Sequence, residues 1–265
     1  MYDFAYHRAD SVADALEKLK AAEDGKLVAG GMTLIPTLKQ RLANPSDLID
    51  LGPVSDLAGI TADGSGVTVG AMTTHAAVAA SDDVNGAIPA LASLADGIGD
   101  PQVRHCGTIG GSIANNDPAA DYPGACIGLN ATIVTNAREI TADDFFSGLF
   151  ETALEEDEII TAVRFPKPKR AAYMKFPNPA SRYALVGVFV AETDDGVRVA
   201  VTGAGDDGVF RVAEMENALA GNFSPQAVES IAVPPDNLNS DIHASSEYRA
   251  HLITVMAKRA VAAAE

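Results

Sequence analysis

Apolar positions recur at helical spacing between Ser11 and Ala22, where Val12, Ala15, Leu16 and Leu19 share one face behind a Ser11 N-cap. Gly25 ends that helix, and Lys26-Leu27-Val28-Ala29 reads as a short buried strand. An amphipathic stretch over 34–42 is helical after Pro36, Asn44-Pro45 turns the chain, and 47–51 is a second strand. This order of helix, strand, glycine turn, helix and strand predicts a small α/β unit with parallel strands.

The pattern then changes. Val67-Thr68-Val69 is a strand behind a glycine-rich turn, 73–80 and 88–94 are helices, and 131–134 and 159–165 are strands, the last stopped by Pro166. The segment 97–128 is rich in Gly, Pro, Asn and Asp with weak periodicity. It is expected to be a long ordered loop, the kind of segment that carries function in a compact domain. Pro166-Lys167-Pro168-Lys169-Arg170 is the expected domain boundary. Beyond it, 183–191 and 197–202 form paired strands joined by Asp194-Asp195-Gly196, with helices near 211–220 and at 246–263.

Composition narrows the class. With 265 residues the chain holds two modest domains, or one domain with a cap. A net charge of −17, from 19 basic and 36 acidic residues, repels nucleic acid and anionic lipid. Two cysteines, Cys106 and Cys126, without a C-x-x-C pattern argue against a disulfide framework, an iron–sulfur cluster or a zinc site on this chain. No export signal and no apolar run of about 20 residues is read, so the expectation is a cytoplasmic protein without an integral membrane segment.

The candidate chemistry lies in two glycine pairs, Ala29-Gly30-Gly31-Met32-Thr33 and Thr108-Ile109-Gly110-Gly111-Ser112. Without a Cβ, glycine lets the main chain take left-handed turns and come close to a ligand. Successive amides in such a turn form a concavity for anions, above all phosphate. Each pair alone is also compatible with an ordinary turn. Two of them, about eighty residues apart, point to one diphosphate held from both sides, and so to a bound dinucleotide. Asn115, Asn116, Asp117, Pro118 and Asp121 follow the second pair; Thr108 and Ser112 supply hydroxyls, and Asp121 an acceptor for a sugar hydroxyl.

Other motifs carry less. Gly203-Ala204-Gly205-Asp206-Asp207-Gly208 has the form G-x-G-x-x-G, but two aspartates stand where phosphate would lie, and a turn is expected. There is no P-loop, G-x-S-x-G or H-E-x-x-H pattern. Glu155-Glu156-Asp157-Glu158 reads as a solvated turn, and His7, His75, His243 and His251 as surface or packing residues. His105-Cys106 lies beside the second pair without a visible activating base. No catalytic residue and no metal ligand is assigned.

Taken in order, these segments resemble the medium, FAD-binding subunit of the molybdenum hydroxylases, most nearly the aerobic carbon monoxide dehydrogenase type. The resemblance is carried by Ala29-Gly30-Gly31 with Leu34 and Pro36, and by Gly99-Asp100-Pro101-Gln102-Val103-Arg104 running into Gly107 to Ser112. It continues through Ala114 to Asp121, Glu158-Ile159-Ile160 to Pro166, Lys175, and Asn178-Pro179-Ala180-Ser181-Arg182-Tyr183.

The resemblance implies an α+β fold. A PCMH or vanillyl-alcohol-oxidase type FAD-binding domain occupies 1–168, as two α/β subdomains of about 1–53 and 54–168. A C-terminal domain at 169–265 packs three antiparallel strands with helices. It also implies non-covalent FAD wrapped by Leu27, Val28, Ala29, Gly30, Gly31, Met32, Thr33 and Leu34 and by Thr108, Ile109, Gly110, Gly111 and Ser112. Asn115, Asp121 and Lys175 are further cofactor residues, with Ile98 and Ile160 as apolar neighbours. Met32 departs from the polar residue relatives often carry, which leaves main-chain donation there but no polar side chain.

The implied activity is electron relay in a heterotrimer that dimerises. A large subunit holds the molybdenum–molybdopterin cofactor, a small one holds two [2Fe–2S] clusters, and electrons leave to a quinone, NAD or another acceptor. A stand-alone FAD-dependent oxidase, a non-catalytic flavin-binding assembly subunit and, last, a nicotinamide-dependent dehydrogenase are the competing readings.

Overall fold

Parallel pairing organises the first fifty residues of the computed structural model, which describes residues 1–264. The elements are β1 (Ala5–Arg8), α1 (Val12–Ala21), β2 (Gly25–Val28), α2 (Leu34–Lys39) and β3 (Asp47–Asp50). The sheet order is β1-β3-β2, both pairs parallel, as the element order predicts. Ser11 Oγ accepts the Asp14 amide at 3.1 Å, the expected cap on α1. β1 is new: its residues are mostly exposed, so no alternation marks it in the sequence. Ala15, Ile49 and Leu57 pack here with Ile159 from far along the chain.

The second unit begins with β4 (Ile60–Ala62) and β5 (Gly66–Gly70), then α3 (His75–Ala80), α4 (Asp82–Ala87) and α5 (Pro89–Asp96). Three short helices follow, α6 (Pro101–Cys106), α7 (Ile109–Asn115) and α8 (Tyr122–Gly128). It closes with β6 (Thr132–Thr135), β7 (Glu139–Thr141), α9 (Ala142–Phe145), β8 (Phe146–Gly148), β9 (Glu151–Thr152) and β10 (Ile160–Pro166). Its main sheet, β4-β5-β10-β6-β7, is antiparallel throughout.

The expected loop at 97–128 is therefore corrected to three helices. At six or seven residues each, they are too short to display helical periodicity, and side-chain caps define the first two instead. Asp100 accepts the Val103 amide at 2.9 Å and is followed by Pro101 at the first helical position; Thr108 Oγ1 accepts the Gly111 amide at 3.2 Å.

The remaining elements are β11 (Arg170–Pro177), β12 (Ala184–Thr193), β13 (Gly196–Thr202), β14 (Phe210–Arg211), α10 (Ala213–Gly221), α11 (Pro225–Val228) and α12 (Ser246–Ala263). They form an antiparallel sheet of four strands, β11-β12-β13-β14, one more than expected. The extra strand is two residues long, below any pattern a sequence can show. Asp194 and Asp195 make the hairpin turn between β12 and β13, with Gly196 at φ +122°.

β12 is buried on both faces. Val186, Val188 and Val190 face α12 through Met256 and Ala260, whereas Phe189 and Ala191 join the core of the second unit. The segment 203–208 is a turn, as expected: the Gly203 amide donates to Pro118 O, Asn239 Nδ2 to Gly205 O, and β14 follows. Among the described residues, no helix is long and apolar enough to cross a membrane.

Candidate functional site

A cavity of about 590 Å³ opens where the three units meet, walled by 26–34, 107–117, 150–160 and 181–183. The turn between β2 and α2 forms one wall. Val28 ends its strand, Gly31 adopts φ +68°, and α2 starts at Leu34. Among the described residues, the amides of Gly30, Gly31, Met32, Thr33 and Leu34 donate to nothing, whereas those of Ile35 and Thr37 bond back to Gly31 O and Thr33 O. Five consecutive free N–H groups on a cavity wall form an anion cradle.

The second glycine pair works differently from the expected open bend. Gly110 and Gly111 lie in the first turn of α7, and four of this segment's amides are already used. Ile109 N donates to Thr73 O at 3.1 Å, Gly110 N to Ala71 O at 2.9 Å, Gly111 N to Thr108 Oγ1, and Ser112 N to Thr108 O at 3.0 Å. This pair therefore supplies proximity more than donors. A Cβ on Gly110 would sit 2.7 Å from the Ala71 oxygen, so only glycine lets α7 pack here. The Thr108 hydroxyl accepts one bond and keeps its own proton to donate into the cavity, which Thr108, Gly110, Gly111, Ser112 and Asn115 line.

The two motifs meet directly. A methyl on Gly30 would run into the Cys106 carbonyl, and one on Gly111 would sit 3.7 Å from Ala29 Cβ. Leu27, Val28, Ala29, Gly30, Gly31, Met32, Thr33 and Leu34 all border the cavity, as do Ile98, Asp121 and Ile160. Two expected residues do not. Ile109 is fully buried in the core, and Lys175 stands behind the wall, donating to Asp121 Oδ1 at 2.9 Å and to Gly97 O at 2.8 Å. Tyr173 donates to the same Asp121 oxygen at 2.5 Å. Burial pushes the Asp121 carboxyl above its usual range, while the Lys175 charge and the two hydrogen bonds pull it down.

Several wall residues lie outside the expected set. Glu158, read as part of a solvated turn, is buried and held by Arg138 Nε at 2.9 Å and Thr135 at 2.7 Å. The Arg138 hydrogen bond leads in holding its carboxyl down at about 2. Its partners come from 20 and 23 positions away, so the local acidic run hides it. His75, read as a surface or packing residue, lies in the wall with Nδ1 buried and without a hydrogen-bond partner among the described residues, its ring 5.4 Å from that of Tyr122. Burial, with the Arg104 charge as a second cause, lowers its pKa to about 4.

Phe150, Arg182 and Tyr183 border the cavity with large exposed side chains at Phe150 and Tyr183; Phe150 and Arg182 have φ of +56° and +64°. The hairpin carrying Phe150 is fixed by Asn116 Nδ2, which donates to Gly148 O at 2.9 Å and Glu151 O at 2.8 Å. No sequence signal marks Phe150. Tyr183 belongs to a recognisable segment but has no chemistry of its own that assigns it. His105 Nδ1 faces Pro101 O at 2.7 Å, and the exposed Cys106 enters the site through its carbonyl.

This arrangement favours a long ligand with an anionic middle against the 30–34 amides, a polar group at Asp121 and apolar surfaces beside Ile98 and Ile160. Among the described residues, no group of three His, Cys, Asp or Glu side chains is placed to hold a metal ion.

Comparison with known proteins agrees with this geometry. Residues 2–168 match the family model described as FAD binding domain in molybdopterin dehydrogenase. The chain is 36% identical to the carbon monoxide dehydrogenase medium chain of Afipia carboxidovorans, over 97% of this chain and 95% of that one. It is 37% identical to the nicotine 6-hydroxylase medium subunit of Paenarthrobacter nicotinovorans, over 97% and 95%. In structure it is similar to a chain of reconstituted CO dehydrogenase from Oligotropha carboxidovorans, with a TM-score of 0.89, 34% identity, and 98% and 97% of the two chains covered.

Proposed function

The chain belongs to the family of FAD-binding domains of molybdopterin dehydrogenases, and from that premise we propose that it is the electron-relay subunit of a heterotrimeric hydroxylase. It is a medium, FAD-type subunit of the molybdenum hydroxylases. In the proposed assembly a large subunit holds molybdenum–molybdopterin, a small one holds the [2Fe–2S] clusters, and a quinone or NAD takes the electrons away. Two such heterotrimers pair, and the complex works in the cytoplasm.

The cradle at Gly30–Leu34 carries this reading. A diphosphate needs several donors at once, and five consecutive amides with no internal partner supply them without a side chain. The Thr108 hydroxyl donates from the opposite wall, Asp121 accepts from a hydroxyl or N–H of the cofactor, and Ile98 and Ile160 exclude water from its rings. Bound there, FAD supplies the redox chemistry, and the protein sets its position and surroundings. The fit is good: free donors, glycines that permit close approach and one oriented carboxylate converge on one cavity.

The test is reconstitution. The purified chain, given FAD, should show bands at about 375 and 450 nm set by the cofactor. Mixed with the large and small subunits of the proposed assembly, it should bleach when the complex is given its substrate and remain unbleached when the small subunit is omitted. Bleaching by a small alcohol in the isolated chain, with release of hydrogen peroxide, would instead mark a stand-alone oxidase. Bound FAD that never bleaches in the full complex would mark an assembly subunit.

A further inference from the structure

We propose that Tyr173 is a positioning residue for the cofactor: its hydroxyl, acting with Lys175, pins one oxygen of Asp121 so that the other stays turned to the cavity and free to accept from the ligand. The inference rests on the FAD reading above and extends it to a side chain outside the cavity wall. Tyr173 and Lys175 are two apart on β11, so strand alternation puts them on one face. Both donate to Asp121 Oδ1, at 2.5 and 2.9 Å, across the junction between β11 and the segment before α8. Asp121 Oδ2 takes no hydrogen bond among the described residues, and Asp121 borders the cavity.

A carboxylate held at one oxygen by a single flexible ammonium would still turn about its Cβ–Cγ bond. The second, rigid donor removes that freedom. The Tyr173 ring is itself fixed, stacked on Phe189 at 6.1 Å between centroids. The strand opposite makes room for it: a methyl on Gly187, which pairs with Lys175 in the ladder, would collide with the Tyr173 hydroxyl. Burial and the neighbouring Asp121 charge push the Tyr173 hydroxyl well above its ordinary range, so it remains a donor. Tyr173 adds no charge, which separates its role from that of Lys175: it orients and does not neutralise.

The experiment is a double-mutant cycle on the full chain, read as the FAD dissociation constant. Tyr173→Phe should weaken FAD binding about tenfold, the scale of one hydrogen bond made to a charged group. Asp121→Asn should weaken it further, and the double variant should bind like Asp121→Asn alone. Gly187→Ala displaces the hydroxyl without removing it and should reproduce the Tyr173→Phe loss, giving a second reading if the phenylalanine variant folds poorly. Wild-type affinity in both single variants at Tyr173 and Gly187 would overturn the assignment. So would a Tyr173→Phe penalty that persists undiminished beside Asp121→Asn, the mark of simple packing. A wild-type chain that binds no FAD would overturn the underlying reading and this one with it.

Discussion

Gly30 lies with its Cα against the Cys106 carbonyl, so closely that no other residue fits between the two glycine motifs. Gly30→Ala should therefore part the cavity walls. We expect a stability loss of about 3 kcal/mol, the upper range for overpacking a rigid neighbour, and at least a hundredfold loss of FAD affinity. Gly111→Ala is the control, since its Cβ would meet only Thr108 Oγ1 at 3.1 Å and Ala29 Cβ at 3.7 Å. It should fold normally. Thermal melting and FAD titration of the two variants check this.

Asn116 holds the hairpin that brings Phe150 to the cavity, through two hydrogen bonds and from a left-handed backbone at φ +42°. Asn116→Ala loses both bonds and keeps the strained φ, at a cost of about 2–3 kcal/mol. Asn116→Gly relieves the strain and should cost less. Urea unfolding gives the energies, and limited proteolysis should cut near Phe150 faster in both variants.

Much of the fold was legible in the sequence because its elements carry period and caps. Ser11 and the stripe on α1 give one helix, and the Asp194-Asp195-Gly196 turn gives the β12–β13 hairpin. The helices over 101–128 were not legible, since at six or seven residues they show no repeat, and the first two depend on Asp100 and Thr108 caps that resemble turn residues. At the site, the glycine pairs announced themselves. What they do not announce is their division of labour: the first leaves its amides free, and the second spends its own on Ala71, Thr73 and Thr108. Glu158 and Tyr173 were hidden because their partners, Arg138 and Asp121, are 20 and 52 positions away.

Stability should fall in mild acid because of His75. Its folded pKa is about 4 against an ordinary 6.5, so below pH 6.5 the unfolded chain takes up a proton that the folded one refuses. The contribution is intact above pH 6.5, declines as pH falls toward 4, and levels off below. The total loss is on the order of 2–3 kcal/mol. His75→Gln should flatten that part of the stability–pH curve, measured by chemical denaturation between pH 4 and 7.

Glu158 acts in a lower window. Its folded pKa of about 2 lies below the ordinary 4.5, so its stabilisation is present above pH 4.5 and is lost as pH falls through 2. Glu158→Gln should cost about 2 kcal/mol at pH 7, a figure reduced for the half-exposed Arg138. Its melting curve should converge on that of the wild type as the pH approaches 2.

The most direct measurement compares FAD with riboflavin on the wild-type chain. If the 30–34 amides grip a diphosphate, riboflavin, which has none, should bind at least a thousandfold more weakly, and ADP should displace FAD competitively. Equal affinity for riboflavin and FAD, or no affinity for either, would contradict the account.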